Sequence, residues 1–125
     1  MTNQMNAVAI IITLAIASPV AAQTPSMSAQ AKAAVVESLR DPDSARFRSV
    51  RYSRRPNGQT IYCGEVNARN AMGGYTGYVR FISSIAPNGT VTAEIASERN
   101  VAGSMIVNSV WGQVCDAPGV TPVTF

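Results

Sequence analysis

YTGYVRFISSIAPNGTVTAEI, at residues 75–95, contains two alternating patterns separated by a turn sequence. Apolar Val79 and Phe81 alternate with Tyr78 and Arg80, and a period of two is expected of a strand with one buried face. The Pro-Asn-Gly sequence that follows favours a tight turn, and apolar and polar residues then alternate a second time. This stretch therefore predicts a β-hairpin that belongs to a sheet.

Two further strands are predicted upstream of this hairpin. Residues 47–54 alternate and lead to another Pro-Asn-Gly turn, after which residues 59–68 form the return strand. Together with strands at residues 75–85 and 91–95, they predict a four-stranded antiparallel meander. Leu39 is the only leucine beyond the N-terminal apolar segment, and this excess of β-branched Val and Ile over leucine also favours strands.

A helix is predicted before the meander and another after it. Ser28 is a suitable N-cap, and apolar residues then recur every fourth position up to residue 40. Ser104 can cap a second helix that runs to residue 115, although the three valines and one isoleucine of this segment fit a strand as well. Residues 116–125 hold two prolines and a glycine, which predicts an irregular tail.

Residues 1–22 have the features of an export signal. Their apolar run is too short to cross a bilayer and is followed by Pro19 and small residues, which predicts cleavage after Ala22. About 100 residues then remain, enough for one domain, with a flexible lead at residues 23–27 and the folded part at residues 28–115. The prediction is a periplasmic or secreted bacterial protein, with an uncleaved membrane anchor as the alternative.

The chain contains two cysteines, Cys63 and Cys115. In an exported protein such a pair usually forms a disulfide, and closing a loop of this length is worth about 4 kcal/mol in the chain-entropy model. A redox or nucleophilic cysteine is the alternative, but the chain has neither a Cys-x-x-Cys pair nor a histidine. The predicted fold is therefore α+β: a helix, the meander, and a C-terminal helix or strand tied to it by one disulfide.

A disulfide at Cys63 has a consequence for Glu65. The two side chains share one face of their strand, so the disulfide places the carboxylate on the packed side. A buried carboxylate needs a partner. Either an arginine or a backbone group contacts Glu65, or Gly64 forms a bulge that turns it away.

Three strings follow one another along the chain: LRDPDSARFR at residues 39–48, CGEVNARN at residues 63–70 and GGYTGYVRF at residues 73–81. In this order they resemble a family of small exported bacterial proteins of uncharacterised function. The resemblance covers the end of the first helix through the third strand. It implies export and a shared fold, and it carries over no catalytic residue.

Arginines are concentrated in one part of the chain, with six between residues 40 and 55 in a chain of net charge +3. If Arg51 and Arg55 project from the same uncovered side of the sheet as Tyr78 and Arg80, they form a cationic surface with an aromatic member. Guanidinium groups bind phosphate or carboxylate in bidentate fashion. This pattern predicts a non-catalytic binding module of the cell envelope.

The predicted partner is an envelope protein or an anionic envelope component such as a lipid phosphate or an acidic polymer. Exposed arginines also keep sheet edges from pairing, so a structural envelope component without a discrete ligand is an alternative. The modest net charge and the predicted export argue against nucleic acid. Membrane contact is expected only through the signal peptide before cleavage.

The absence of histidine removes His-based triads, imidazole bases and zinc sites that combine His with Cys. The glycines at residues 73–77 match neither a phosphate loop nor a dinucleotide turn. We therefore predict no cofactor, no metal and no enzymatic activity. The alternative is a small envelope hydrolase in which Glu65 and a second acid, Glu94 or Glu98, face one cleft.

Overall fold

The computed structural model describes residues 17–18 and 25–125 of the chain. Nearly all of the predicted signal peptide, residues 1–22, lies outside the described residues, as does most of its expected cleavage site. The signal peptide therefore stays a prediction. In the part of the chain that is described, neither of the two helices is long and apolar enough to span a bilayer.

The secondary structure follows the predicted order, with one additional strand at the end. The elements are α1 (Met27–Glu37), a 3-10 turn (Pro42–Ser44), β1 (Arg46–Arg54), β2 (Thr60–Asn67), β3 (Val79–Ile85), β4 (Val91–Ile95), α2 (Val101–Val114) and β5 (Thr121–Pro122). The strands form one antiparallel sheet in the order β4-β3-β2-β1-β5. The predicted α+β fold, with a helix at each end of a meander, is confirmed.

The two helices cover opposite faces of the sheet. On one face, Val35 of α1 packs against Val66 and Phe81. On the other face, Val107 and Trp111 of α2 pack against the β2 side chains that alternate with Val66. The expectation of an uncovered side of the sheet is therefore wrong. The physical reason is that β2 is apolar on both of its faces, and each face needs its own helix to bury it.

Both helices begin earlier than predicted. The Oγ of Ser26 accepts a hydrogen bond from the backbone N–H of Ala29 at 3.2 Å, so Ser26 is the N-cap of α1. At α2 the Oδ1 of Asn100 accepts from the N–H of Gly103 at 2.9 Å. The helix alternative for the C-terminal segment is confirmed and the strand alternative is wrong, because Trp111 lies one helical turn from buried Val107 on the same side of α2.

The third strand begins at Val79 rather than at residue 75. Gly77 has a φ of 104°, which only glycine adopts readily and which interrupts the extended backbone. Before it, Tyr75 pairs with Arg69 in an isolated bridge outside the sheet proper. The loop between β2 and β3 is therefore longer than the alternating pattern predicts.

The tail also differs from the expectation of an irregular segment. β5 pairs with β1, and the N–H of Val123 donates to the carbonyl of Val50 at 3.0 Å. The Phe125 ring stacks on Phe81 with centroids 5.6 Å apart and meets Phe47 edge-on at 5.3 Å. Pairing along β1 protects an otherwise open sheet edge, and Val123 and Phe125 point into the core between α1 and the sheet.

A bulge interrupts β1 opposite Gly64. The register with β2 shifts between Arg48 and Arg51, and Ser49 has a φ of 53°. The bulge predicted at Gly64 therefore lies in the neighbouring strand. Gly64 has another role, because a Cβ at this position would lie 2.9 Å from Cε1 of Phe81.

We expect the Gly64→Ala substitution to lower the free energy of unfolding by about 1–3 kcal/mol, because the added methyl overpacks the core. Urea unfolding followed by circular dichroism measures this loss. Gly112→Ala is the matched control: Gly112 lies in α2, and beyond its chain neighbours and the nearby backbone of its own helix no heavy atom lies within 4 Å of its built Cβ. There the same change should stabilise the protein by about 1 kcal/mol. Equal effects at both positions would contradict the packing argument.

Candidate functional site

The disulfide positions one side of the candidate site. Cys63 and Cys115 form a disulfide with a Cα–Cα distance of 5.7 Å, which joins the middle of β2 to the residue that follows α2. The predicted disulfide is confirmed, and the alternative of a free reactive cysteine is wrong because both cysteines of the chain are used. The last turn of α2 is therefore fixed to the sheet.

Arg51 fastens the same end of α2. Its Nε donates to the carbonyl of Cys115 at 2.6 Å, and its other nitrogens donate to Oδ1 of Asp116 at 2.7 Å and to the carbonyl of Ser49 at 2.9 Å. A guanidinium at the C-terminal carbonyls of a helix also favours the helix dipole. Three of the five N–H donors of Arg51 bind groups within the protein, so we assign it a positioning role rather than ligand contact.

Arg55 lies far from the other predicted contact residues. It follows the end of β1, where Arg54 pairs with Thr60, whereas Arg80 pairs with Glu65. Five residues along β2 separate these two pairs by about 17 Å. Arg55 therefore does not share a ligand-binding surface with Arg80. Arg51 does lie near Arg80, because their guanidinium carbons are 5.3 Å and 4.6 Å from the centroid of the same ring, that of Trp111.

Glu65 lies between two arginines in one row across the sheet. Arg48 of β1 and Arg80 of β3 are its neighbours, on the face that carries α2. The Nε of Arg48 donates to Oε2 of Glu65 at 2.8 Å, and this hydrogen bond raises the pKa of Arg48. Of the two alternatives for Glu65, an arginine partner is therefore confirmed.

Aromatic rings support both arginines of this row. The guanidinium carbon of Arg48 lies 3.8 Å from the ring centroid of Tyr78, and that of Arg80 lies 4.6 Å from the centroid of Trp111. Both arginines are exposed, whereas Trp111 is buried. We call this group the arginine shelf. It consists of Arg48, Glu65, Tyr78, Arg80 and Trp111.

The electrostatics of the arginine shelf are uneven. Arg48 has Glu65 as its ion-pair partner, but within residues 25–125 no carboxylate lies within ion-pair distance of Arg80. A guanidinium that lies against an aromatic ring keeps the N–H donors at its edge available. The shelf therefore presents one oriented guanidinium that can donate hydrogen bonds to two oxygens of an anionic group.

Two members of the arginine shelf, Arg48 and Trp111, are absent from the sequence prediction. Without a bulge, the alternation of β1 would place Arg48 on the α1 face. No sequence motif predicts the bulge at Ser49. Trp111 fits the apolar side of α2, so its pattern predicts a core residue. The predicted pair Tyr78 and Arg80 does lie on one side of the sheet, as the alternation indicates.

The acids proposed for a hydrolase do not gather in one cleft. Glu94 lies against the first turn of α2, where its Oε2 is 2.9 Å from the Cβ built on Gly103. Glu98 lines a groove on the α1 side of the sheet, opposite to Glu65. Among the residues that the structure describes, no three acids, cysteines or histidines come close enough to hold a metal ion.

The three strings noted in the sequence meet at one end of the sheet. Ser44 joins them, because its Oγ accepts from the N–H of Arg69 at 2.8 Å and its carbonyl accepts from the hydroxyl of Tyr75 at 3.0 Å. The guanidinium of Arg46 also lies 4.3 Å from the Tyr75 ring centroid. The strings thus build one corner of the molecule.

No protein-family model, curated protein or solved structure matches this chain. The resemblance to small exported bacterial proteins therefore stays a prediction.

Proposed function

We propose that this protein is a non-catalytic binding module of the bacterial cell envelope that binds an anionic group on the arginine shelf. The observation that carries the proposal is the exposed guanidinium of Arg80, which lies 4.6 Å from the Trp111 ring centroid with no ion-pair partner among residues 25–125. The disulfide is typical of oxidising compartments and, with the predicted signal peptide, supports a periplasmic or secreted location.

Binding would use the edge of the Arg80 guanidinium. Stacking on Trp111 restricts the arginine side chain, so less rotamer entropy is lost when its N–H groups bind two oxygens of a phosphate or a carboxylate. Glu65 neutralises Arg48, so the pair adds polar surface without a second free charge. A single phosphate or carboxylate group fits this arrangement, and a lipid surface, an acidic polymer or an acidic protein face can present one.

We expect the Arg80→Gln substitution to weaken binding to vesicles of phosphatidylglycerol by roughly tenfold, because it removes the unpaired guanidinium. Cosedimentation measures the bound fraction, and the emission of Trp111, the only tryptophan, reports contact at the shelf. Binding of the unaltered protein should fall as salt rises, because exposed charges are screened. Repeating the experiment with poly-glutamate in place of the vesicles tests whether the shelf binds the carboxylates of an acidic polymer.

Arg54→Gln is the matched control. Arg54 is exposed at the opposite end of the sheet and its substitution removes the same charge, so it should leave binding unchanged. Equal binding by both variants would overturn the proposal. Absence of binding to vesicles and polymer alike would favour a structural component without a discrete ligand.

A further inference from the structure

A groove lies at the same end of the sheet as the arginine shelf but on the opposite face. It has a volume of about 540 Å³ and is bordered by the residues after α1, the loop between β2 and β3, and the segment between β4 and α2. Its volume falls in the range of pockets that hold small molecules, roughly 300–1,000 Å³.

The floor of the groove is apolar. It is formed by four side chains from three neighbouring strands, which also pack against the core beneath α1: Val66, Val79, Ala93 and Ile95. Leu39, just beyond α1, adds an apolar wall. A purely polar ligand would leave this apolar floor exposed to water, whereas an aliphatic or aromatic group would bury it.

The rim of the groove is basic. Arg40, Arg69 and Arg99 line it from three separate segments, and Glu98 is the single acid among the lining residues. In residues 25–125 none of these three arginines forms an ion pair. The C-terminal end of α1 also faces the groove and carries a partial negative charge of about half an elementary charge. This is smaller than the charge of the three arginines, so the rim stays positive.

Internal hydrogen bonds hold the walls of the groove in place. The Oδ1 of Asn67 accepts from the N–H of Gly77 at 3.1 Å, and the Oδ1 of Asn70 accepts from the N–H groups of Met72 and Gly74. The N–H of Arg69 donates to Ser44 Oγ. The groove is therefore a formed feature of the fold and does not depend on the ligand for its shape.

We propose that this groove is a second binding site, separate from the arginine shelf, for an acidic amphiphile in which a carboxylate is attached to an apolar chain. The chain lies on the floor between α1 and the strands, and the carboxylate reaches the arginines of the rim. The combination of an apolar floor with an unpaired basic rim matches both parts of such a molecule. This site goes beyond the proposed function, because it shares no residue with the shelf and its ligand needs an apolar chain as well as a carboxylate.

The test uses decanoate as the probe and the purified full-length protein. Isothermal titration calorimetry in low-salt buffer should detect saturable binding of decanoate, below the concentration at which it forms micelles, and no comparable binding of decyltrimethylammonium. Arg40→Gln combined with Arg99→Gln should weaken decanoate binding by roughly tenfold or more, since each guanidinium removed is a charge-assisted contact. Ala68→Phe fills the groove without changing its charge and should abolish binding.

Arg54→Gln combined with Arg55→Gln is the matched control, because it removes two charges at the other end of the sheet and should leave the affinity unchanged. Trp111 lies on the opposite face, so its emission should stay constant during the titration. A change in this emission would place decanoate on the shelf and overturn the proposal. Absence of binding, equal binding of the cationic amphiphile, or full affinity in the Arg40/Arg99 variant would each overturn it as well.

Discussion

Reduction of the Cys63–Cys115 disulfide is expected to lower the free energy of unfolding by about 4 kcal/mol, because it releases the constraint on the unfolded chain. The two cysteines are 52 residues apart in the sequence, so the bond closes a loop that spans about half of the folded domain. Stabilities of small domains are about 5–15 kcal/mol, and this loss is therefore a large share of the total. Urea unfolding with and without reductant measures it.

The Cys63→Ala/Cys115→Ala variant provides the control for this experiment. It should unfold with a free energy below that of the oxidised protein by at least the same amount, since both sulfurs are also buried in the core on the α2 side. Reductant should have no effect on the variant. A loss of less than about 1 kcal/mol on reduction of the unaltered protein would show that the noncovalent packing of α2 suffices without the bond.

Truncation of both apolar side chains of the tail should cost about 2 kcal/mol of unfolding free energy. In the Val123→Ala/Phe125→Ala variant the tail keeps its length, but the Phe125 ring leaves its contacts with Phe47, Phe81 and Tyr62. Each of the two side chains is partly buried, so each contributes about half of a full apolar burial. Urea unfolding monitored by circular dichroism is the measurement.

Thr124→Ala is the control for the tail. Thr124 lies between the two truncated residues and is exposed, so its substitution should change the unfolding free energy by less than about 0.5 kcal/mol. If the double variant has the same free energy of unfolding as this control, the side chains of the tail contribute nothing to the stability of the core.

Most of the fold could be predicted from the sequence because alternation is a local signal. The residues around Phe81 identify a strand by their own period. The pairing of Cys63 with Cys115 could be predicted because they are the only two cysteines of a chain with a predicted export signal. The β-turns at the two Pro-Asn-Gly sequences likewise depend on their own residues. Such features are visible in a single sequence.

The features that were missed depend on contacts between distant segments. The bulge at Ser49 lies opposite Gly64, where Phe81 and Val50 approach the backbone closely, and neither strand reveals this by itself. The strand character of the tail depends on an open edge at β1. A sequence of two prolines and a glycine gives no indication that this edge is available.

The candidate site was only half predictable for the same reason. Tyr78 and Arg80 lie in one strand, and their shared side follows from its period. Arg48 reaches that side only through the bulge, and Trp111 supports Arg80 only because α2 crosses the sheet there. The groove draws its arginines from three segments, so no single stretch of sequence outlines it.

The position of the disulfide bears on how the protein withstands proteolytic cleavage. The loops that join β2 to β3, β3 to β4 and β4 to α2 all lie between Cys63 and Cys115. A peptide bond cut in any of them leaves both fragments covalently joined. A scission at these loops therefore does not by itself release a piece of the protein.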